Sequence, residues 1–262
     1  PMCGIVAYSG RRAAAPILLE GLKRLEYRGY DSAGIAVVEP DHHIAIVKSE
    51  GKLSRLIESL NGNTPRGVLG VGHTRWATHG APTTVNAHPH TDPSGDIVVV
   101  HNGIIENYAA LRAELAAQGH PFASETDTEV LAHLIAQEWN RQRDDYPAAV
   151  RRALRRVEGA YAIATFSRSA PDVLVGARFF SPLVVGVGDG EGFIASDIPA
   201  LLPYTRRALL LEDGEVVTLH GGQLTITTLG GQPVERAPFA VTWDVAAAEK
   251  GGYPNFFVKE VY

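Results

Sequence analysis

With 262 residues, 45% of them hydrophobic and 20% charged, the chain can bury a core as one large domain or two small ones, and its formal net charge of -5 gives no basic footprint for nucleic acid or an anionic membrane surface. A single cysteine excludes an intramolecular disulfide, and no apolar run reaches the roughly 18 residues of a membrane span. No basic segment followed by an apolar one opens the chain, so a soluble, cytoplasmic protein with a small-molecule partner is expected.

Residues 4–8 are a short apolar strand candidate, turning at Ser9-Gly10 into a helix over about 13–25 with Leu18, Leu22 and Leu25 on one face. Cys3 therefore stands just ahead of a strand. Two β-rich runs, 33–38 and 43–49, flank the loop Glu39-Pro40-Asp41-His42 and read as a hairpin. A helix over 52–60 ends in Asn61-Gly62-Asn63-Thr64-Pro65, and a strand over 67–74 then delivers Arg75. Residues 81–96, rich in Pro, His, Thr and Asn, read as loop, and a strand over 97–100 runs into His101-Asn102-Gly103. Thr126 and Glu129 have the spacing of a capping box for a helix over 127–142, and a second helix is expected over 146–156. In the second half, strand candidates at 160–166, 173–177, 183–187 and 215–219 are separated by Asp189-Gly190, Asp213-Gly214 and Gly221-Gly222, which read as hairpin turns. Sequential hairpins mean antiparallel pairing, and helices gathered between two strand groups mean sheets covered by helices, so the class is α+β. The last stretch carries Gly251-Gly252 and Pro254 without a clear period and reads as linker.

Cys3 alone says little, since free cysteine usually behaves as a small buried hydrophobe. As the first residue of a processed chain, however, it would carry a free α-amine with a pKa of roughly 7.7 to 8.0, a built-in general base for its own thiol. Pro1-Met2 stands ahead of it, and a tag scar or processing accounts for that pair. Asn102-Gly103 offers a side-chain amide and an unobstructed backbone N–H for an oxyanion; read alone, the dipeptide is an ordinary type I′ turn. Arg75 in His73-Thr74-Arg75-Trp76-Ala77-Thr78-His79-Gly80 has the planar fork that grips a carboxylate, with Trp76 as a lid, or is a surface arginine beside a packed tryptophan. Asp127 could pair with an α-ammonium or simply favour a helix start. His73, His88, His90 and His101 invite a zinc site, but His-Pro-His is no closed-site spacing and a second cysteine is lacking. No metal and no cofactor are expected, and His88 reads as a hydrogen-bonding support.

Several stretches together resemble one family. Cys3-Gly4-Ile5-Val6, the run from Leu25 through Tyr27-Arg28-Gly29-Tyr30 to Gly34, the His73 to Gly80 octet, His101 to Tyr108, Glu125-Thr126-Asp127-Thr128-Glu129, Ser181-Pro182-Leu183 and Ala195-Ser196-Asp197 are similar to the N-terminal glutaminase half of glucosamine-6-phosphate synthases, class II glutamine amidotransferases. The resemblance covers nearly the whole chain. It implies an N-terminal-nucleophile hydrolase fold, a four-layer α-β-β-α sandwich with two antiparallel sheets. It implies Cys3 as nucleophile, Asn102 and Gly103 as oxyanion hole, Arg75 on the α-carboxylate of L-glutamine and Asp127 on its α-ammonium. Trp76, Thr78 and His79 would belong to a loop closing over glutamine, with Arg28 and His88 in support. It further implies a glutaminase domain over 1–240, the start of a linker over 241–262, and sugar-phosphate isomerase domains of the same full-length chain as partners in a homo-oligomer. If Pro1-Met2 stay attached, the Cys3 amine is blocked and little or no glutaminase activity is expected. Phe179-Phe180 departs from the family's small or basic residues before Ser181. Other amidotransferases of this fold, forming phosphoribosylamine or asparagine, fit Tyr27-Arg28-Gly29-Tyr30 and the Trp76 to His79 lid less well. A self-processing amidohydrolase gives no reason for the Arg75 and Asp127 pair, and trapping the nucleophile separates catalysis from a non-catalytic binding module.

Overall fold

The structure, a computed structural model, describes residues 3–77, 79–143 and 145–243. Pro1-Met2, Thr78 and nearly all of the expected linker over 241–262 lie outside the described residues.

The chain begins with β1 (Gly4–Ser9) and α1 (Ala14–Lys23), which buries Ala14, Leu18 and Leu22. The expected hairpin forms from β2 (Ser32–Val38) and β3 (Ile44–Glu50), Ile35 facing Val47. α2 (Leu53–Leu60) buries Leu53, Leu56 and Leu60 at helical spacing and stops at Asn61, whose φ of 43° is the left-handed C-cap that asparagine tolerates. Next come β4 (Leu69–Arg75), β5 (His90–Thr91) and β6 (Ile97–Ile105). The helices α3 (Tyr108–Ala117), α4 (Thr128–Arg141) and α5 (Tyr146–Leu154) follow. The strands β7 (Gly159–Ser167), β8 (Ala170–Phe179), β9 (Val184–Val187), β10 (Gly192–Ala195), β11 (Arg207–Leu210), β12 (Glu215–His220), β13 (Gln223–Thr228) and β14 (Phe239–Ala240) complete the order.

Among the described residues eight strands form one sheet in the order β14-β11-β9-β10-β1-β4-β2-β3, and six form another, β13-β12-β8-β7-β6-β5, with each pair of neighbouring strands antiparallel. Period-two alternation divides their side chains between two interfaces. Val98 and Val100 of β6 join Ile5, Ala7, Val71, Phe166 and Ile194 between the sheets, while Ile97 and Val99 turn outward onto Leu131, Ile135 and Trp139 of the helices. On the far side Val6, Tyr8 and Ile35 pack under α1 and α2. Helices thus cover both sheets, giving the four-layer α-β-β-α, α+β sandwich that the resemblance implies. Strands buried on both faces explain continuous apolar runs such as Ile97-Val98-Val99-Val100.

Four local expectations differ. The strand expected at 97–100 continues to Ile105, so Asn102-Gly103 is strand rather than hairpin turn, facing Ala162 and Tyr161 of β7. Thr126 does not cap α4: its hydroxyl bonds His90, and the Glu129 carboxylate accepts from the Ala123 and Ser124 N–H groups of the preceding loop. Asp213-Gly214 is not a hairpin turn, because β11 and β12 belong to different sheets, whereas Asp189-Gly190 and Gly221-Gly222 do close hairpins. The helix α3 was not anticipated, since its alanine-rich sequence buries only Leu111 and Leu115.

Candidate active site

β1 lies mid-sheet between β10 and β4, with Gly4 opposite Thr74 and, on the next strand, Ser32 opposite Arg75. Cys3, the residue before β1, is therefore set beside the end of β4 and the turn that follows it. The Trp76 N–H donates to Cys3 Sγ at 3.2 Å, and the thiol points back to the Trp76 carbonyl at 3.6 Å. Burial pushes the Cys3 thiol up, opposed by the Trp76 backbone bond and the Arg75 charge. The thiol is thus protonated at rest and needs a base. Among the described residues no His, Asp or Glu side chain hydrogen-bonds the sulfur.

The opposite sheet supplies Asn102, whose Nδ2 donates to the Cys3 carbonyl at 2.9 Å. Gly103 follows at φ 125°, and a Cβ there would lie 2.0 Å from the Ala160 carbonyl, so only glycine fits. Arg28 braces the same carbonyl through Nη1 at 3.3 Å and is held by Asp197 at 2.8 Å and by Tyr27. Burial and its bond to Asp197 push the Tyr27 phenol up to about 12, with the Arg28 charge opposing, so Tyr27 is a neutral donor to Asp197.

Arg75 is buried, and its guanidinium donates to the main chain of the loop after β4: to Ala81 O and Gly80 O, each at 3.2 Å, and to His79 O. Asp31 accepts from the Ala77 N–H and lies 3.9 Å from Arg75. Asn86 straps the same loop, donating to Ala81 O and to Glu125 Oε2 at 3.0 Å each. Trp76 is 44% exposed, and its ring lies against Gly29, where a Cβ would come within 2.9 Å of it. The His79 ring meets Tyr108 edge-on at 5.0 Å.

Asp127, at the N-cap of α4, accepts the Ile105 N–H at 2.9 Å and faces a cavity shared with Cys3, Arg75, Trp76, His79 and Gly103. That cavity encloses about 20 Å³, room for about one water. Larger clefts of about 570 and 630 Å³, beside Arg178 and beside Lys23, do not include Cys3. His88 and His101 share the Thr128 hydroxyl at 2.8 and 2.9 Å. Burial lowers the pKa of His88 and His101, and takes those of His73 and His90 to about 3. Among the described residues no group of three His, Cys, Asp or Glu side chains converges to hold a metal ion.

The structure therefore gathers Cys3, Arg28, Arg75, Trp76, His79, His88, Asn102, Gly103 and Asp127 about one place. Sequence reasoning missed the Asn86–Glu125 strap, and it also missed Lys48, whose Nζ donates to Val85 O and Pro89 O and whose pKa burial lowers to about 8. Nothing in a loop rich in polar residues marks Asn86. A lone lysine on an edge strand reads as a solvated charge.

The family described as glutamine amidotransferase domain matches residues 73–203. The chain is 56% identical over its whole length to a glutamine–fructose-6-phosphate aminotransferase (isomerizing) of Thermus thermophilus, and 50% identical to that of Aquifex aeolicus. It spans 42% and 43% of those relatives' lengths. Among solved structures, a glutamine phosphoribosylpyrophosphate amidotransferase from B. subtilis superposes with a TM-score of 0.76 at 23% identity, covering 95% of this chain and 56% of that one. A glutamine aminotransferase class-II domain protein from Silicibacter pomeroyi gives 0.59 at 18%, covering 87% and 99%. Both show the same fold.

Proposed function

The chain belongs to the glutamine amidotransferase domain family, and we propose that it hydrolyses L-glutamine to glutamate and ammonia through Cys3. The α-amine of Cys3, once free, takes the thiol proton, and Sγ attacks the side-chain amide carbon. The oxyanion so formed is met by Asn102 Nδ2–H and the Gly103 N–H. As it collapses, the C–N bond breaks, the α-ammonium returns its proton to the leaving amine, and ammonia departs. Water, deprotonated by the same amine, then cleaves the thioester and regenerates the thiol. Arg75 receives the α-carboxylate and Asp127 the α-ammonium of the substrate, with Trp76, Thr78 and His79 closing over it.

The observation that carries this is the Asn102 bond to the Cys3 carbonyl at 2.9 Å, which holds a donor from one sheet beside the nucleophile of the other. Because a 20 Å³ cavity cannot hold glutamine, entry must prise the 79–81 carbonyls from Arg75 and free its fork. In the full-length protein the ammonia would serve fructose-6-phosphate amination on sugar-phosphate isomerase domains of the same chain, in a homo-oligomer. Glutamate release by a chain beginning at Cys3 tests the proposal: Cys3→Ser should remove it, and activity that survives this substitution would contradict it.

A further inference from the structure

An oxyanion donor made from an asparagine side chain has a weakness, because rotation of the amide by half a turn presents an oxygen where an N–H is needed. Two of the groups around Asn102 settle the orientation, one at each end of the amide. His73, on β4 and fully buried, places Nε2 2.9 Å from Asn102 Oδ1 and 3.0 Å from the His101 carbonyl. A backbone carbonyl only accepts, so Nε2 must carry the proton. His73 Nδ1 has no hydrogen-bond partner, so a proton moved there would be buried and unsatisfied. On the other side Asn102 Nδ2 meets the Cys3 carbonyl, another pure acceptor. Flipping the amide would therefore set Oδ1 against the Cys3 oxygen and Nδ2 against the His73 N–H. Burial keeps the ring from taking a second proton, holding its pKa at about 3.

We propose that His73 is a positioning residue that locks the Asn102 amide with its NH₂ group toward Cys3 and the cavity. The proposal rests on Asn102 being the oxyanion donor. The Nδ2 group has two hydrogens; one is held by the Cys3 carbonyl and the other is left for the reacting oxygen. Because the lock acts on the transition state, its loss falls on kcat and leaves glutamine binding in place.

The test is steady-state glutaminase kinetics on the chain beginning at Cys3, with folding of each variant confirmed by thermal melts. His73→Phe keeps the ring without the N–H, His73→Leu replaces it should the phenylalanine variant not fold, and His73→Gln restores an N–H near the Nε2 position. Removing an oxyanion donor outright costs about 100- to 1000-fold, so losing its orientation should lower kcat by roughly 10- to 100-fold with KM changed by less than about twofold. His73→Gln should recover kcat to within about fivefold, and in an Asn102→Ala background His73→Phe should cost less than about twofold more. A folded His73→Phe with undiminished kcat, a glutamine variant no better than the phenylalanine one, or equal losses in both backgrounds would overturn the lock. An unsubstituted chain that neither hydrolyses glutamine nor reacts at Cys3 would instead overturn the glutaminase proposal itself.

Discussion

The carboxylate of Asp127 spends one oxygen on the Ile105 N–H and turns toward the cavity that holds Cys3. Asn at this position keeps an acceptor for Ile105 but removes the charge that an α-ammonium would meet. Hydrogen bonds to charged groups contribute about 1.5 to 3 kcal/mol, so Asp127→Asn should raise the KM for glutamine by roughly 10- to 100-fold with kcat within about threefold. An unchanged KM would remove Asp127 from the substrate site. That Cys3, Asn102, Arg75 and Asp127 belong together was implied by the resemblance, whereas each read alone was equally a small buried hydrophobe, an ordinary turn, a surface arginine or a helix start. His73 was not, since its part depends on a contact with Asn102 made between two sheets. Nor were the carbonyls that now occupy the Arg75 fork, because backbone acceptors leave no trace in side-chain identity.

The elements most exposed to test are β6 and the loop after β4. At Gly103 a methyl group meets the Ala160 carbonyl at 2.0 Å on backbone of φ 125°. Gly103→Ala should therefore cost about 2 to 5 kcal/mol, read as a lower urea midpoint with unchanged slope. The Asn86 strap makes a second case. Its bonds to Ala81 O, Glu125 Oε2 and the Glu125 N–H tie the loop to the segment before α4. Asn86→Ala should speed amide exchange over residues 79–86 while the central strands stay protected; equal exchange in both proteins would show that the loop is held without the Asn86 strap. Strand and helix positions were readable where the period was clear, as in α2 and the β2–β3 hairpin. The Asp213-Gly214 dipeptide misled because a turn sequence is the same whether the chain returns to its own sheet or crosses to the other. The Thr126–Glu129 spacing misled because Glu129 found better donors in the Ala123 and Ser124 amides.

Across the whole molecule, two sheets meet face to face, and the site forms where the start of β1 and the end of β4 from one meet β6 from the other. This places uncharged histidines in the interior, with a consequence for acid stability. His73 and His90 are held to about 3, whereas an unfolded histidine titrates near about 6.5. Between those values the unfolded chain binds protons that the native state refuses, so stability is complete above about pH 6.5 and falls as pH drops toward 3. With two such groups the slope approaches about 2.7 kcal/mol per pH unit. Urea midpoints should hold steady from pH 8 to 7 and decline from 6 to 4; a constant midpoint at pH 4 would show that these rings protonate in place. Among the described residues no helix is long and apolar enough to cross a membrane. The α+β class was legible from sequential hairpins and from helices gathered between two strand groups, and the four layers came with the resemblance, while the strand order, which joins β1 to β10 and β4, was not legible. We propose Cys3 as a nucleophile served by its own amine. Intact mass before and after treatment with a diazo-norleucine glutamine analogue tests it most directly, on the 262-residue chain and on one beginning at Cys3. One adduct is expected on the Cys3-initiated chain alone, blocked by glutamine; no adduct on either chain, or equal labelling of both, would contradict a nucleophile served by its own amine.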